Sequence, residues 1–342
     1  MTRNFLADAN FNFLGGRKKA YIFSSVMILI SLTSLTFRGL NFGVDFTGGR
    51  TYLVRFDQDV AVSDVRKALT AEFPTAVPEV KSFGPSRQVK ITTKFMIEDD
   101  RKEVDSIIQQ KLYNGLNQFF SKNVTYNQFT SDEEADNKYI GILSSQKIGP
   151  TIASDIRNKA ITAIILSLFI IFGYIAIRFR KWQYGLAGVI ALFHDSIIVL
   201  GLFSLFYNIL PFNMEVDQAF IAAILTIIGY SINDTVIIFD RIRENLSLHP
   251  KKSLFININD GLNSTLARTI NTSGTTIMVL FMIAVFGGEV IRGFVFALLI
   301  GILFGTYSSV FNASPIVYDL LSRKKKDNAA PEKIDANNKK KA

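Results

Sequence analysis

The sequence predicts a polytopic α-helical membrane protein: six transmembrane helices, with a ferredoxin-like α+β extracytoplasmic domain between helices one and two. Three observations predict it. The apolar residues are gathered into six long blocks, the stretch between the first two has the length and strand–helix order of one small domain, and the basic residues flank the blocks in alternation. The chain has 342 residues, 38 Lys+Arg against 29 Asp+Glu, a formal charge of +9 and a hydrophobic share of 49%. Its mean hydropathy is +0.25. This composition excludes a disordered, collagen-like or disulfide-scaffolded chain. With no Cys and two His, it also excludes a zinc site built from the usual Cys and His ligands. The absence of Cys is compatible with an oxidising compartment.

A membrane-crossing helix needs roughly 20 mostly apolar residues. The first block, residues 20–37, follows a short N-terminus (1–19) on the cytoplasmic side. Its apolar run is too long for a signal-peptide core, and Arg38-Gly39-Leu40-Asn41 lacks a small-x-small cleavage pattern, so it reads as a retained signal anchor. The remaining spans are expected at 159–177, 185–206, 219–239, 269–286 and 290–311. The fifth has a short apolar core, Thr272 to Phe286, and ends in Gly287-Gly288, so its boundaries are the least sharply marked. Between the fourth and fifth spans, 240–268 is expected as a cytoplasmic loop, and 322–342 as a basic, disordered cytoplasmic tail.

Orientation follows from the basic flanks. Arg17-Lys18-Lys19, Arg178/Arg180/Lys181, Arg241/Arg243/Lys251/Lys252 and Arg323 to Lys326 all fall on one side of a six-span chain, which is therefore cytoplasmic. Arg292 is the exception. The basic residues thus read as anchors at anionic membrane surfaces, which explains the excess of positive charge without nucleic acid.

The insert, 38–158 with its linker helix, places a strand at 51–56 and a helix at 63–73 that Ser63 can cap. A hairpin follows at 77–83 and 88–94, turning at Gly84-Pro85-Ser86. Next comes a helix at 99–120 with Val104, Ile107, Ile108, Leu112, Leu116 and Phe119 on one face, then a strand at 139–145. The order β-α-β-β-α-β is the split βαβ pattern. Gly48-Gly49 lacks the context of a phosphate loop, and nothing here pairs a nucleophile with a base. Pro150 suits a helix start.

A carboxylate near the bilayer centre costs about 2.5–3.5 kcal/mol, so the polar residues inside the apolar blocks are the candidates for function. On the fourth block Thr226, Tyr230, Asn233 and Asp234 share one side of a helix. Such a stripe suits a proton or ion path, although Asp234 can equally cap the helix or pair with Arg241. On the fifth, Arg268, Thr272, Thr275 and Thr276 fall on one side, with Asn271 beside them, and Arg268 approaches Asp234 if the two helices pack together. A guanidinium that stays protonated would bias the carboxylate's charge. An interfacial, snorkelling arginine is the plainer alternative. His194 and Asp195 are further intramembrane polar candidates. As neighbours they point about 100° apart on a helix and are not expected to face each other. Gly301, Gly305 and Ser309, at spacing four, read as a helix-packing face.

Phe42-Gly43-Val44-Asp45-Phe46-Thr47-Gly48-Gly49 resembles a signature of the SecF proteins of the SecD/SecF family. The run from Gly229 to Asn245 resembles the most specific motif of that family, and Arg268 to Thr276 and Phe286-Gly287-Gly288 resemble later ones. The resemblance implies kinship with the resistance-nodulation-division transporters. It also implies a multi-pass subunit of the bacterial inner membrane that works with SecD at the SecYEG channel, after the SecA step, on the translocating preprotein. It implies use of the proton-motive force and no cofactor. By the same resemblance Asp234 and Arg268 take part in proton coupling, with Asn233 and Thr272 beside them. Membrane lipids and not nucleic acid complete the expected partners. Two other readings stay open: a half-transporter exporting a small molecule or lipid, and a non-transporting assembly scaffold. An enzyme fits least, since no catalytic constellation is present.

Overall fold

The computed structural model describes residues 11–84, 87–99, 101–131, 140–210 and 212–328. The expected turn residues Pro85 and Ser86, Tyr139 at the start of the expected last strand, and the tail from 329 lie outside these.

Among the described residues, six helices are long and apolar enough to cross a membrane. They comprise α1 (Arg17–Phe37), α6 (Pro150–Phe179), α7 (Trp182–Phe206), α8 (Gln218–Leu248), α9 (Leu254–Phe286), and the run formed by α10 (Glu289–Ser308) with α11 (Ser314–Asn328). A five-residue π-helical turn, Ser309–Ala313, joins the last two. Between α1 and α6 lie α2 (Val44–Thr47), β1 (Gly49–Arg55), α3 (Val62–Glu72), β2 (Glu79–Ser82), β3 (Gln88–Thr93), α4 (Lys102–Leu116), α5 (Tyr126–Thr130) and β4 (Gly141–Ile148).

The long helices alternate in direction, so the bundle has two distinct ends. Arg17, Arg178, Arg243, Lys252 and Arg323 collect at one, the basic end; the small domain sits at the other, the domain end. Several helices overrun their apolar segments at the basic end. Instead of a loop over 240–268, α8 continues to Leu248 and α9 begins at Leu254. The apolar blocks mark only the part of each helix matched to hydrocarbon, while Arg241, Arg243 and Glu244 keep the extension soluble.

The small domain is a four-stranded sheet in the order β2-β3-β1-β4, antiparallel throughout, which is the ferredoxin-like arrangement. Tyr52, Val54 and Phe56 from β1 meet Val65 and Leu69 of α3 and Val104, Ile108, Leu112 and Leu116 of α4 in one core. Two local expectations fail. Ala61, not Ser63, is the N-cap of α3, and it offers no side-chain cap. Ile107 is exposed, because the stripe of α4 that reaches the core is the narrow one at spacing four. Arg50, 1% exposed, is buried at the sheet's end. It ion-pairs with Asp105 at 2.8 Å and donates to the carbonyls of Phe95, Met96 and Asp99, so its buried charge is fully met.

Three connections fix this domain to the bundle. The main chain of Asn41–Gly43 pairs with Val216, just before α8, through Gly43 N–H to Val216 O (3.0 Å) and Val216 N–H to Asn41 O (2.8 Å). Gly48, at φ +70°, lets the chain turn where a side chain would press on Pro150 at the start of α6. Glu215, in the α7–α8 connection, ion-pairs with Lys81 (2.9 Å) and Lys90 (2.5 Å), which are register partners on β2 and β3.

Within the bundle, α10 packs on α8 through small residues. A side chain at Gly301 would strike Ile227, and one at Gly305 would press on Ser231. Ser309 hydrogen-bonds Thr235 at 2.8 Å. Gly301, Gly305 and Ser309 thus step along α8 in register with Ile227, Ser231 and Thr235, as their spacing of four predicts. Arg292 donates to the carbonyls of Ala284 and Gly287 (3.1 and 3.2 Å), closing the end of α9. That accounts for a basic residue at the domain end.

Candidate intramembrane polar site

The centre of the bundle is α8. Its first turn is capped by Asp217, whose side chain accepts from Phe220 N–H at 2.8 Å. Ile224, Ile227, Ile228 and Ile238 bury one side, and Asp234 lies within that buried surface at 3% exposure. Its carboxylate accepts from Ser273 Oγ of α9 at 3.0 Å. Asp234 therefore does not cap the helix, which runs on to Leu248, nor does it pair with Arg241, which binds Ser264 and Glu244.

The rest of the predicted stripe divides. Thr226 and Asn233 are exposed, while Tyr230 reaches across to α9 with its hydroxyl against Thr272 O (3.1 Å) and Thr276 Oγ1 (3.0 Å). On α9, Arg268, Asn271, Thr272 and Thr275 are exposed. The hydroxyl of Thr272 is spent on the carbonyl of Arg268. Ser273, one residue on, makes the contact with Asp234 from α9, where the sequence suggests Arg268. The helical period places all these residues in one arc; packing of α8 on α9 then splits the arc into a buried edge and an open one.

Arg268 lines a crevice of about 820 Å³ at the basic end, with Arg178, Asp240, Arg241, Arg243 and Glu244. Asp240 binds Arg178 and Arg243, and Arg241 binds Glu244. Among the described residues no ion pair joins Arg268 to Asp234. Arg268 stands five residues, about 7.5 Å along the axis, on the basic side of Ser273.

His194 and Asp195 contradict the expectation that they do not face each other. His194 Nδ1 lies 2.9 Å from Asp195 Oδ1, with both residues buried on α7. The 100° separation describes their Cα–Cβ directions, but the side chains close the gap in one wedge between α1, α8 and α10. Asp195 Oδ2 is held there by Ser231 Oγ of α8 and Ser308 Oγ of α10, each at 2.8 Å. The sequence reading missed Ser231, Ser273, Ser308 and Thr235. The small-residue spacing on α10 was a signal for two of them, since residues matching Gly305 and Ser309 on α8 must themselves be small.

Across a membrane-spanning bundle, then, two carboxylates are shut away from lipid on different sides of α8, each supplied with hydroxyl donors. Such a group can gain or lose a proton without leaving the protein interior. A family model described as the SecD/SecF GG motif matches residues 33–60, which include the Asn41–Gly43 segment paired with Val216. A second, described as the protein export membrane protein SecD/SecF, C-terminal, matches residues 129–323, which hold the whole polar site. The Protein translocase subunit SecF of Rhodothermus marinus is 44% identical over 92% of this chain and 95% of its own length.

The chain belongs to the SecF family.

SecF of Sebaldella termitidis (35% identical, 95% of this chain, 94% of its own) and of Desulfurispirillum indicum (38%, 88% and 89%) are further relatives. Among solved structures, the crystal structure of SecDF, a translocon-associated membrane protein from Thermus thermophilus, superposes with a TM-score of 0.75 at 30% identity. It covers 93% of this chain, and this chain covers 40% of it. A SecDF crystal structure in a super-membrane-facing form gives a TM-score of 0.64, also at 30% identity over 95% of this chain and 40% of that one.

Proposed function

We propose that this chain is the SecF subunit of the Sec translocase and that, with a SecD partner, it uses the proton-motive force to draw preproteins outward through SecYEG after the SecA step. The observation that carries the reading is Asp234: a carboxyl 3% exposed, hydrogen-bonded to Ser273 and beside a crevice that carries Arg268. A proton crossing a membrane releases about 2.3 kcal/mol per 100 mV, and a buried carboxyl that changes charge is a means of converting that energy into a change of packing. The partner has its own support. Arg268, Asn271, Thr272, Thr275 and Asn233 form an exposed polar face on helices that are otherwise apolar enough to span a membrane. In lipid that face needs a polar neighbour.

The collected basic end faces the cytoplasm of the bacterial inner membrane, so both termini are cytoplasmic and the small domain lies on the far side. Asp234 and Arg268 carry the coupling, with Asn233 and Thr272 on the surface they share with SecD; no cofactor is needed beyond the proton gradient. The test is proton-gradient-dependent translocation in vesicles bearing the assembled complex. Asp234→Asn and Arg268→Ala should abolish the gradient-dependent part while the complex still assembles. Unchanged gradient-driven translocation in Asp234→Asn would overturn the assignment.

A further inference from the structure

We infer that His194 and Asp195 form a second proton-binding site, separate from Asp234, with a groove between α1, α7 and the α10–α11 turn supplying water to His194. The inference rests on the proton-coupled reading above and adds to it a second station on α7.

His194 is 4% exposed. Its Nδ1 is engaged by Asp195, and its Nε2 is buried without a hydrogen-bond partner. An imidazole nitrogen shut in an apolar interior with nothing to bond is costly, and water is the small ligand that satisfies it where room exists. The room is there: His194 lines a groove of about 330 Å³, open on the side of the exposed Phe193, together with Tyr21, Ser24, Asn312 and Ile316. The polar members are organised, since Ser24 Oγ donates to Asn312 Oδ1 at 3.0 Å and Tyr307 O–H donates to Ala20 O at 3.1 Å. At its basic end Tyr21 O–H donates to Asp319, which also holds Arg17. Polar groups therefore run from Asp319 at the basic end, through the groove, to a histidine midway along α7.

Among the described residues the titratable groups beside the imidazole are Asp195 from α7, Tyr307 from α10 and, across the same space, Tyr21 from α1, which leads on to Asp319 and Arg17 at the basic end. From α8 the imidazole meets only the neutral Ser231, through Asp195, because Asp234 is turned to α9. The proton step balances simply. With Nδ1–H donated to Asp195, neutral His194 offers the Nε2 lone pair to a proton delivered by water in the groove. The resulting imidazolium passes its Nδ1 proton to Asp195 Oδ1. That leaves a neutral ring protonated at Nε2 and a neutral carboxyl, with charge conserved. Once neutral, Asp195 accepts less strongly from Ser231 and Ser308, and so loosens the contact of α7 with α8 and α10.

The chain has two histidines, which makes the test clean. In the His249→Gln background, with [15N]histidine in this chain alone and the SecD-containing complex in vesicles, the imidazole signals report His194. They should switch reversibly between the Nδ1–H and Nε2–H neutral tautomers as the pH is lowered and restored, because the added proton ends on Asp195. His194→Asn keeps an N–H for Asp195 but cannot accept a proton, and it should lose gradient-driven translocation. An unchanging His194 signal overturns the proposal, even if His194→Asn is inactive, since the role is then structural. Full activity in His194→Asn also overturns it. Asp234→Asn is run in parallel: if that variant keeps gradient-driven activity the coupling reading itself fails, whereas its loss beside an active His194→Asn sinks the second site alone.

Discussion

A carboxylate as deeply placed as Asp234 opposes folding unless it is neutralised, and one serine is a thin offset. Under the proposed function the residue is explained by what its protonation does and not by stability. Asp234→Asn should keep the acceptor for Ser273 and remove the charge, so the purified variant should melt at the same temperature as wild type or higher while losing gradient-driven transport. Ser273→Ala takes away the one hydrogen bond that the Asp234 side chain makes among the described residues, worth about 1.5–3 kcal/mol to a charged group. It should slow gradient-driven transport with the complex intact, measured as the initial rate in vesicles. Arg50, by contrast, is a structural arginine. Arg50→Ala removes the ion pair with Asp105 and the donor to the Phe95 carbonyl, while Met96 O keeps Asp99 N–H and Asp99 O keeps Lys147 Nζ; it should destabilise the small domain by about 1–3 kcal/mol, read from denaturant unfolding of the purified chain.

The elements show which sequence signals survive packing. Apolar blocks and the β-α-β-β-α-β order were legible because each depends on local period and length. The Gly301–Gly305–Ser309 face was legible because spacing four on a membrane helix has few other uses. Gly301→Val should overpack the α8–α10 contact against Ile227 and cost about 1–3 kcal/mol, seen as a lower melting temperature in detergent. What periodicity cannot show is how an arc is divided. Asn233 and Asp234 are adjacent, and Thr272 and Ser273 are adjacent, yet only the second of each pair is buried, because the line where α8 meets α9 falls between them. Nor could it find the socket for Glu215. Lys81 and Lys90 meet only through strand register, and two like charges placed opposite each other are unfavourable until a carboxylate stands between them. Burial alone would raise the pKa of Glu215, but Lys90 and Lys81 more than offset it and hold the carboxyl below the usual glutamate range. A carboxylate depressed in this way contributes its full stabilisation above the ordinary glutamate pKa and loses it as pH falls through the lowered value. Docking of the small domain should thus be firm at neutral pH and loosen only under strong acid. Glu215→Gln should loosen it at neutral pH too, seen as faster amide hydrogen exchange in β2 and β3.

At the scale of the whole molecule, α8 is the common member. The connection that leads into it holds the small domain through Val216 and Glu215, its middle carries Asp234, and its far end forms the crevice with Arg268. A change of charge midway along it can therefore be felt at both ends of the bundle. Its open polar edge with α9 calls for a partner at that face, and the absence of native Cys makes the geometry easy to check. Asn271→Cys and Thr275→Cys should crosslink to cysteines placed in SecD, whereas Phe169→Cys, on the exposed apolar side of α6, should not. The central claim is that Asp234 itself gains and loses a proton as the complex works. Infrared difference spectroscopy on vesicles holding the complex tests it most directly. On acidifying the side opposite the basic end, a protonated-carboxyl band should appear in wild type and be missing in Asp234→Asn. Identical difference spectra for the two proteins would contradict the account.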